Sequence, residues 1–311
     1  MDDTDNALLC LSQALRSRGY GFVTPTPATH GRVVARPGRK RARVLTDVLG
    51  WSLPFEASLL DPEILTLLDR ANGLERMDGA LLRSRYRISS LKDGLYIHSA
   101  YPTEDEDAVF FGPDSYRFAD LIEAELTRLP PRPGAAIVDI GTGSGVGAIV
   151  AAKLCPDATV AMTDVNPQAL RLAAINARAA GVTARGVQGD DLRGIDGAID
   201  VALANPPYIM DESDRTYRAG GGMHGGQVSF DMTRIAAERL APGGRVILYT
   251  GSAIVDGGDG LKAALQRFAA QGGLALAYRE LDPDVFGEEL ELPAYADVER
   301  IAVVAAILTK P

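Results

Sequence analysis

From residue 136 onward, short apolar runs alternate with longer segments in which apolar residues recur every three to four positions. The runs at 136–140, 159–163, 199–204, 246–250 and 301–308 are rich in Val, Ile, Leu and Ala. Unbroken apolar runs of this length are strands buried on both faces. Two further strands are read at 185–188 and 274–281. The segments 146–154, 167–180, 229–240 and 261–270 carry helical periodicity. Strands alternating with helices predict an α/β fold with a doubly wound sheet. Such sheets bind ligands at the carboxyl ends of their strands, so chemistry is sought just after each run.

Before the turn-rich Pro130-Pro131-Arg132-Pro133-Gly134 the pattern differs. Helices are predicted at 1–19, with Gly19 just past the end, at 39–50, and at 62–72 with Pro62 in the first helical position. The Pro- and Gly-marked stretch 21–38 reads as irregular. Short strands at 85–89 and 95–99 read as a β ribbon. The organisation expected is a mainly helical accessory region over 1–100, winged-helix-like in its element order, a connecting lid segment over 101–134, and a catalytic unit over 135–311.

Composition narrows the classes. Hydrophobic residues at 46 % and charged residues at 23 % exclude a disordered or fibrous chain. No apolar run reaches the roughly 18 residues of a spanning helix. The acidic start Asp2-Asp3 is unlike a signal peptide, so a cytoplasmic location is expected. Cys10 and Cys155 alone make neither a disulfide framework nor a zinc site, and no metal is expected. Lys and Arg total 32 against 41 Asp and Glu, a net charge of −9. That balance counts against a nucleic-acid partner.

The first strand of the catalytic unit ends Asp139-Ile140-Gly141-Thr142-Gly143-Ser144-Gly145. Alternate glycines let the backbone turn sharply and approach a ligand, ahead of a helix N-terminus with free N–H groups. Taken alone, the loop is either a nucleotide-cofactor loop or a tight structural turn. The second strand ends at Asp164, placed to accept from a ribose diol; the third ends Gly189-Asp190-Asp191, placed to accept from an adenine amine. Each Asp alone reads first as a cap or a turn residue. At three successive strand ends the three features describe an adenosine site.

The fourth strand ends Asn205-Pro206-Pro207-Tyr208. Two prolines fix φ and remove two backbone donors, so the local carbonyls stay free to accept. The Asn205 oxygen adds a second acceptor, and Tyr208 offers a ring for stacking or for a cation. Together they make a clamp for an –NH2 group.

With these motifs, residues 135–309 resemble class I S-adenosylmethionine-dependent methyltransferases of the Asn-Pro-Pro-Tyr kind, and HemK-like release-factor glutamine methylases in particular. The resemblance implies a Rossmann-like, seven-stranded sheet, S-adenosyl-L-methionine as cofactor, and methyl transfer to an amide or amine nitrogen of a protein side chain or small amino metabolite. It implies a catalytic set of Asn205, Pro206, Pro207 and Tyr208. The implied cofactor set is Asp139, Gly141, Thr142, Gly143, Gly145, Asp164, Val165, Asp190, Asp191, Asn205 and Phe111, the last from Val109-Phe110-Phe111-Gly112-Pro113 before a helix at 114–126. Gly112-Pro113-Asp114-Ser115 lacks the family's arginine-proline-glutamate pattern, and residues 1–100 do not read as its usual helical bundle.

In-line displacement depends mostly on positioning, and acceptors around the N–H groups stabilise charge developing on nitrogen. His224, in the glycine-rich 220–226 loop, is a candidate proton acceptor or an exposed loop residue. Asp211 and Glu212 select a cation or form a solvated turn. The acids of 280–291 are expected to rim the substrate mouth. The basic stretch 32–43 reads as a solvated loop and helix start, Glu104 to Asp107 as an acidic run ahead of the lid, and Trp51 and Phe55 as core. Two alternative activities share these motifs. One is base methylation of RNA or DNA. The other is cyclisation of the cofactor to azetidine-2-carboxylate and methylthioadenosine.

Overall fold

The computed structural model describes residues 2–103, 105–210 and 219–311. Helix α1 (Asp3–Ser17) is capped by Asp2, whose side chain accepts from the Asp5 N–H. It is followed by α2 (Pro27–Val34), α3 (Leu45–Leu49) and α4 (Pro62–Arg70). Four short strands, β1 (Leu74–Arg76), β2 (Leu82–Ser84), β3 (Tyr86–Leu91) and β4 (Gly94–Ser99), make two antiparallel ribbons, β1–β2 and β3–β4. Helix α2 falls in the stretch read as irregular. Thr26 caps it and Pro27 opens it, a start signal masked by the surrounding Pro and Gly. The helix expected over 39–50 shrinks to α3, because the basic stretch before Leu45 has no apolar stripe to bury. Strands β1 and β2 were not anticipated; three residues are too few to show a period.

Helix α5 (Pro113–Arg128) leads into β5 (Ala136–Ile140), α6 (Val146–Leu154), β6 (Thr159–Asp164), α7 (Pro167–Ala179), β7 (Arg185–Gln188) and β8 (Ile199–Ala204). Then come α8 (Gln227–Glu238), β9 (Leu240–Val255), β10 (Gly258–Asp259), α9 (Gly260–Gly272), β11 (Ala275–Asp282) and β12 (Arg300–Thr309). Seven strands lie in the order β11-β12-β9-β8-β5-β6-β7, and β10 pairs with the end of β9. Strands β5 to β9 run parallel, while β12 is antiparallel to both its neighbours. The fold is the expected doubly wound, Rossmann-like α/β sheet with a helical N-terminal region.

Strand alternation sorts the core into two layers. Ile137, Val201, Leu203 and Ile247 pack with Phe118, Ile122, Ile149 and Ala173 from α5, α6 and α7. Val138, Ile140, Ala202 and Leu248 pack on the other face with Ala236 of α8 and Leu261 and Leu265 of α9. The N-terminal region shares α7. Leu172 and Ile175 pack with Leu8 and Leu11 of α1 and with Ile64 and Leu68 of α4. An Arg171–Asp5 ion pair at 2.6 Å flanks this seam.

Candidate active site

Sheet register places the motifs side by side. Ile140 of β5 is level with Thr163 of β6 and with Ala204 of β8, and Asp164 is level with Gln188 of β7. The glycine loop, Asp164, Asp190 and Asn205 therefore leave neighbouring strand ends. Strand β5 lies between β6 and β8, where the winding of the sheet reverses, the place at which doubly wound sheets take their ligands.

Gly141, Gly143 and Gly145 have φ of +66°, +54° and +87°, a region that strains other residues. A Cβ on Gly143 would meet nothing within 4 Å, so that backbone is open to a ligand. Gly147, in the first turn of α6, answers a different need. A Cβ there would stand 2.4 Å from Asp139 Oδ1. Asp139 is 1 % exposed and sits under the loop, its Oδ2 accepting from Thr142 Oγ1 at 2.6 Å and from the Ala148 N–H at 2.9 Å. Burial pushes its carboxyl up to about 6, against the pull of these two bonds. Asp139 and the buried Thr142, read from the sequence as cofactor contacts, are thus committed to shaping the loop.

Asp164 joins two strand ends, its Oδ2 accepting from the Gly143 N–H and its Oδ1 from the Asn166 N–H, both at 2.9 Å. Burial raises its carboxyl as well. Val165 beside it is 42 % exposed, an apolar surface at this strand end. Asp190 is exposed. Asp191 faces instead to Arg193, accepting from its N–H at 3.0 Å and from its Nε, and these bonds lower the Asp191 carboxyl. These bonds hold the turn that follows Asp190.

In the clamp, Asn205 and Pro207 are half-buried and Pro206 is buried. Tyr208 corrects the expectation of an open ring. It is 7 % exposed, and its hydroxyl donates to Asp114 Oδ2 at 2.8 Å. The ring fills a slot over Gly251, where a Cβ would come within 2.1 Å, and meets Phe286 edge-on at 5.9 Å. Tyr249 donates to the other oxygen of Asp114 at 2.8 Å. Burial raises the Asp114 carboxyl against the pull of these two bonds. Asp114 thereby fastens α5 to the clamp. Phe111 is also corrected. It is 1 % exposed, stacked on His98 at 5.1 Å, and belongs to the core rather than to an open face.

The glycine-rich loop lies against the clamp backbone. The Gly220 N–H donates to the Ile209 carbonyl at 2.8 Å, and a Cβ on Gly225 would fall 2.1 Å from the Tyr208 carbonyl oxygen. His224 Nε2 lies 3.1 Å from Asp297 Oδ1. Asp211, Glu212 and Glu104 lie outside the described residues. The acids of 280–291 form no uniformly open rim. Glu280 pairs with Arg300 at 3.0 Å, Asp282 with Arg117 at 2.8 Å, and Glu289 is buried. Beyond this stretch, Tyr295 accepts from the Met210 N–H at 2.7 Å and braces the clamp from behind. Among the described residues no helix is long and apolar enough to cross a membrane, and no cluster could hold a metal ion.

Sequence reasoning missed Asn176, Asp114 as an anchor, Tyr249 and Tyr295. A Tyr inside an apolar run, and an Asn on the buried stripe of a helix, were the available signals, since such polar atoms need partners when buried.

Residues 123–255 match the family described as Methyltransferase small domain. The chain is 39 % identical over 145 residues to a release factor glutamine methyltransferase of Moorella thermoacetica, covering 42 % of this chain and 51 % of that protein. It is 32 % identical over 170 residues to a ribosomal protein L11 methyltransferase of Pelotomaculum thermopropionicum, covering 53 % and 54 %. The chain thus spans about half the length of the curated relatives it matches. A solved methyltransferase from Pyrococcus furiosus superposes with a TM-score of 0.44 at 21 % identity, covering 62 % of this chain and 82 % of that one. Over residues 123–255 the chain is thus similar to proteins that carry a methyltransferase small domain, and its curated relatives there are named as methyltransferases.

Proposed function

We propose that the chain transfers a methyl group from S-adenosylmethionine to an amide or amine nitrogen of a protein side chain held at Asn205-Pro206-Pro207. One observation carries this reading: the glycine loop and the Asn-Pro-Pro clamp leave adjacent parallel strands, β5 and β8, level at Ile140 and Ala204. The residues fit an adenosyl cofactor. Gly143 leaves its backbone open, Val165 offers an apolar face, and Asp164 and Asp190 lie at the next two strand ends. When bound, the cofactor supplies an electrophilic methyl carbon. Asn205 Oδ1 and the proline-flanked carbonyls accept the acceptor's N–H groups, which turns the nitrogen lone pair away from the clamp and stabilises charge developing on it. Tyr208 and Asp114 keep the clamp in place; neither is asked to move a proton.

The relatives named above act, by their names, on proteins. A protein side-chain nitrogen, with the glutamine amide of a release factor as the leading case, is therefore the acceptor proposed here. The test is transfer of isotope-labelled methyl from S-adenosylmethionine into a cell extract. Label in a discrete protein, lost with Asn205→Ala, supports the reading. Label confined to nucleic acid or to small molecules refutes the acceptor class.

A further inference from the structure

We infer that Arg87, on β3, forms a carboxylate-binding subsite in the N-terminal region. Its side chain is 5 % exposed, and Nε and Nη2 are buried without a hydrogen-bond partner among the described residues. A guanidinium does not escape this situation by losing its proton at neutral pH. Burial draws Arg87 down only to about 10, so it stays charged. Its surroundings supply rings rather than anions, including Phe22, whose centroid lies 5.6 Å from the guanidinium carbon. The two nearby histidines are neutral. His98, opposite Arg87 in the β3–β4 ribbon, is held well below the usual range by burial and then by Arg87, and His30 is pushed down to about 3 for the same reasons.

An uncompensated buried cation is costly, and an anion supplied by a ligand relieves that cost. Arg87 lines a cavity with Pro25, Pro27, Tyr101, Thr103 and Phe110. Its volume is about 10 Å³, room for roughly one water. Tyr101, Thr103 and Phe110 are only half-buried, so the cavity lies close to the surface. Nε and Nη2 lie on one edge of the guanidinium, the geometry that takes a carboxylate through two parallel N–H bonds. A single cation in a small cavity matches a carboxylate better than a phosphate dianion. The carboxylate comes either from the methionine end of the cofactor or from an amino-acid-like acceptor. The first source rests on the function proposed above; the subsite itself does not.

The chain has one Trp, and it reports on this cluster. Trp51 lies 5.4 Å from the Phe22 ring and 5.2 Å from that of His30. The full chain is titrated with sodium formate at constant ionic strength, with sodium chloride as reference, while Trp51 fluorescence is followed. A saturable, formate-specific change is expected, weakened about tenfold or more in Arg87→Met and partly kept in Arg87→Lys, which retains charge but not the fork. Arg87→Met should also melt no lower than the parent chain, which separates lost binding from lost folding.

Affinities for S-adenosylmethionine and for methylthioadenosine, which has no carboxylate, then identify the source. Weakening of the first alone by Arg87→Met assigns the cofactor's carboxylate; weakening of neither, with formate still affected, assigns the acceptor's. A formate response no different from chloride, or one unchanged in Arg87→Met, overturns the inference. Failure of methylthioadenosine to bind at all would count against the proposed function and leave the formate result standing.

Discussion

Asn176 offers a quantitative test of how the N-terminal region is coupled to the glycine loop. It is fully buried on α7. Its Oδ1 accepts from the Ile97 N–H at 2.9 Å, and its Nδ2 donates to the Ile97 carbonyl at 3.0 Å and to the Ser144 carbonyl at 2.9 Å. One amide thus ties β4 and the loop to the same helix. Asn176→Ala removes three bonds worth about 1 kcal/mol each and leaves buried backbone groups unpaired, so a loss of about 3–5 kcal/mol is expected. That is a large fraction of the roughly 5–15 kcal/mol that holds an ordinary domain together. Asn176→Asp keeps the shape but replaces two donors with a buried charge, and should cost at least as much. Urea unfolding measures the loss, and cofactor affinity should fall about tenfold because Ser144 lies in the loop. A loss below about 1 kcal/mol, with an unchanged denaturant slope and unchanged cofactor affinity, would show that Asn176 couples nothing.

Gly147→Ala drives a Cβ to within 2.4 Å of Asp139 Oδ1, and should lower the melting temperature and weaken cofactor binding together. Tyr208→Phe removes only the bond to Asp114 and leaves the ring in its slot, so the methylation rate should drop less than about tenfold, whereas Asn205→Ala should drop it about a hundredfold or more. Equal losses from the two variants would mean that Tyr208 contacts the acceptor. Asp139 ionises with more difficulty in the folded chain, at about 6, than at its ordinary 3.8. Its contribution to stability therefore declines as pH rises from about 4 to about 6 and is level above that. Unfolding free energies of the parent chain and Asp139→Asn, compared at pH 4.5 and 7, should show the parent losing ground; parallel values would rule out the raised carboxyl.

The sheet was legible because its strands are apolar on both faces and its helices amphipathic, which is why α6 matches its expected bounds, 146–154. The motifs were legible because they sit at strand ends. What the sequence hid were roles that depend on neighbours distant along the chain. Tyr208 looked like an open ring because nothing local announces the slot over Gly251 or the carboxylate of Asp114. Asp139 looked like a ligand group until the loop closed over it. Phe111 lies in the lid sequence, yet packs on His98 from the N-terminal ribbon. In the N-terminal region the elements are short. Helix α3 has five residues, and β1 and β2 have three each, too few for periodicity to decide.

The most direct measurement is the fate of S-adenosylmethionine, read by mass spectrometry of the adenosyl product with and without a purified release factor, alongside Asn205→Ala. Nitrogen methylation at the clamp predicts S-adenosylhomocysteine only when the acceptor is present, one methyl gained on the protein for each one formed, and neither with Asn205→Ala. Methylthioadenosine released from the cofactor alone, and abolished by Asn205→Ala, would contradict it and make the cofactor itself the substrate.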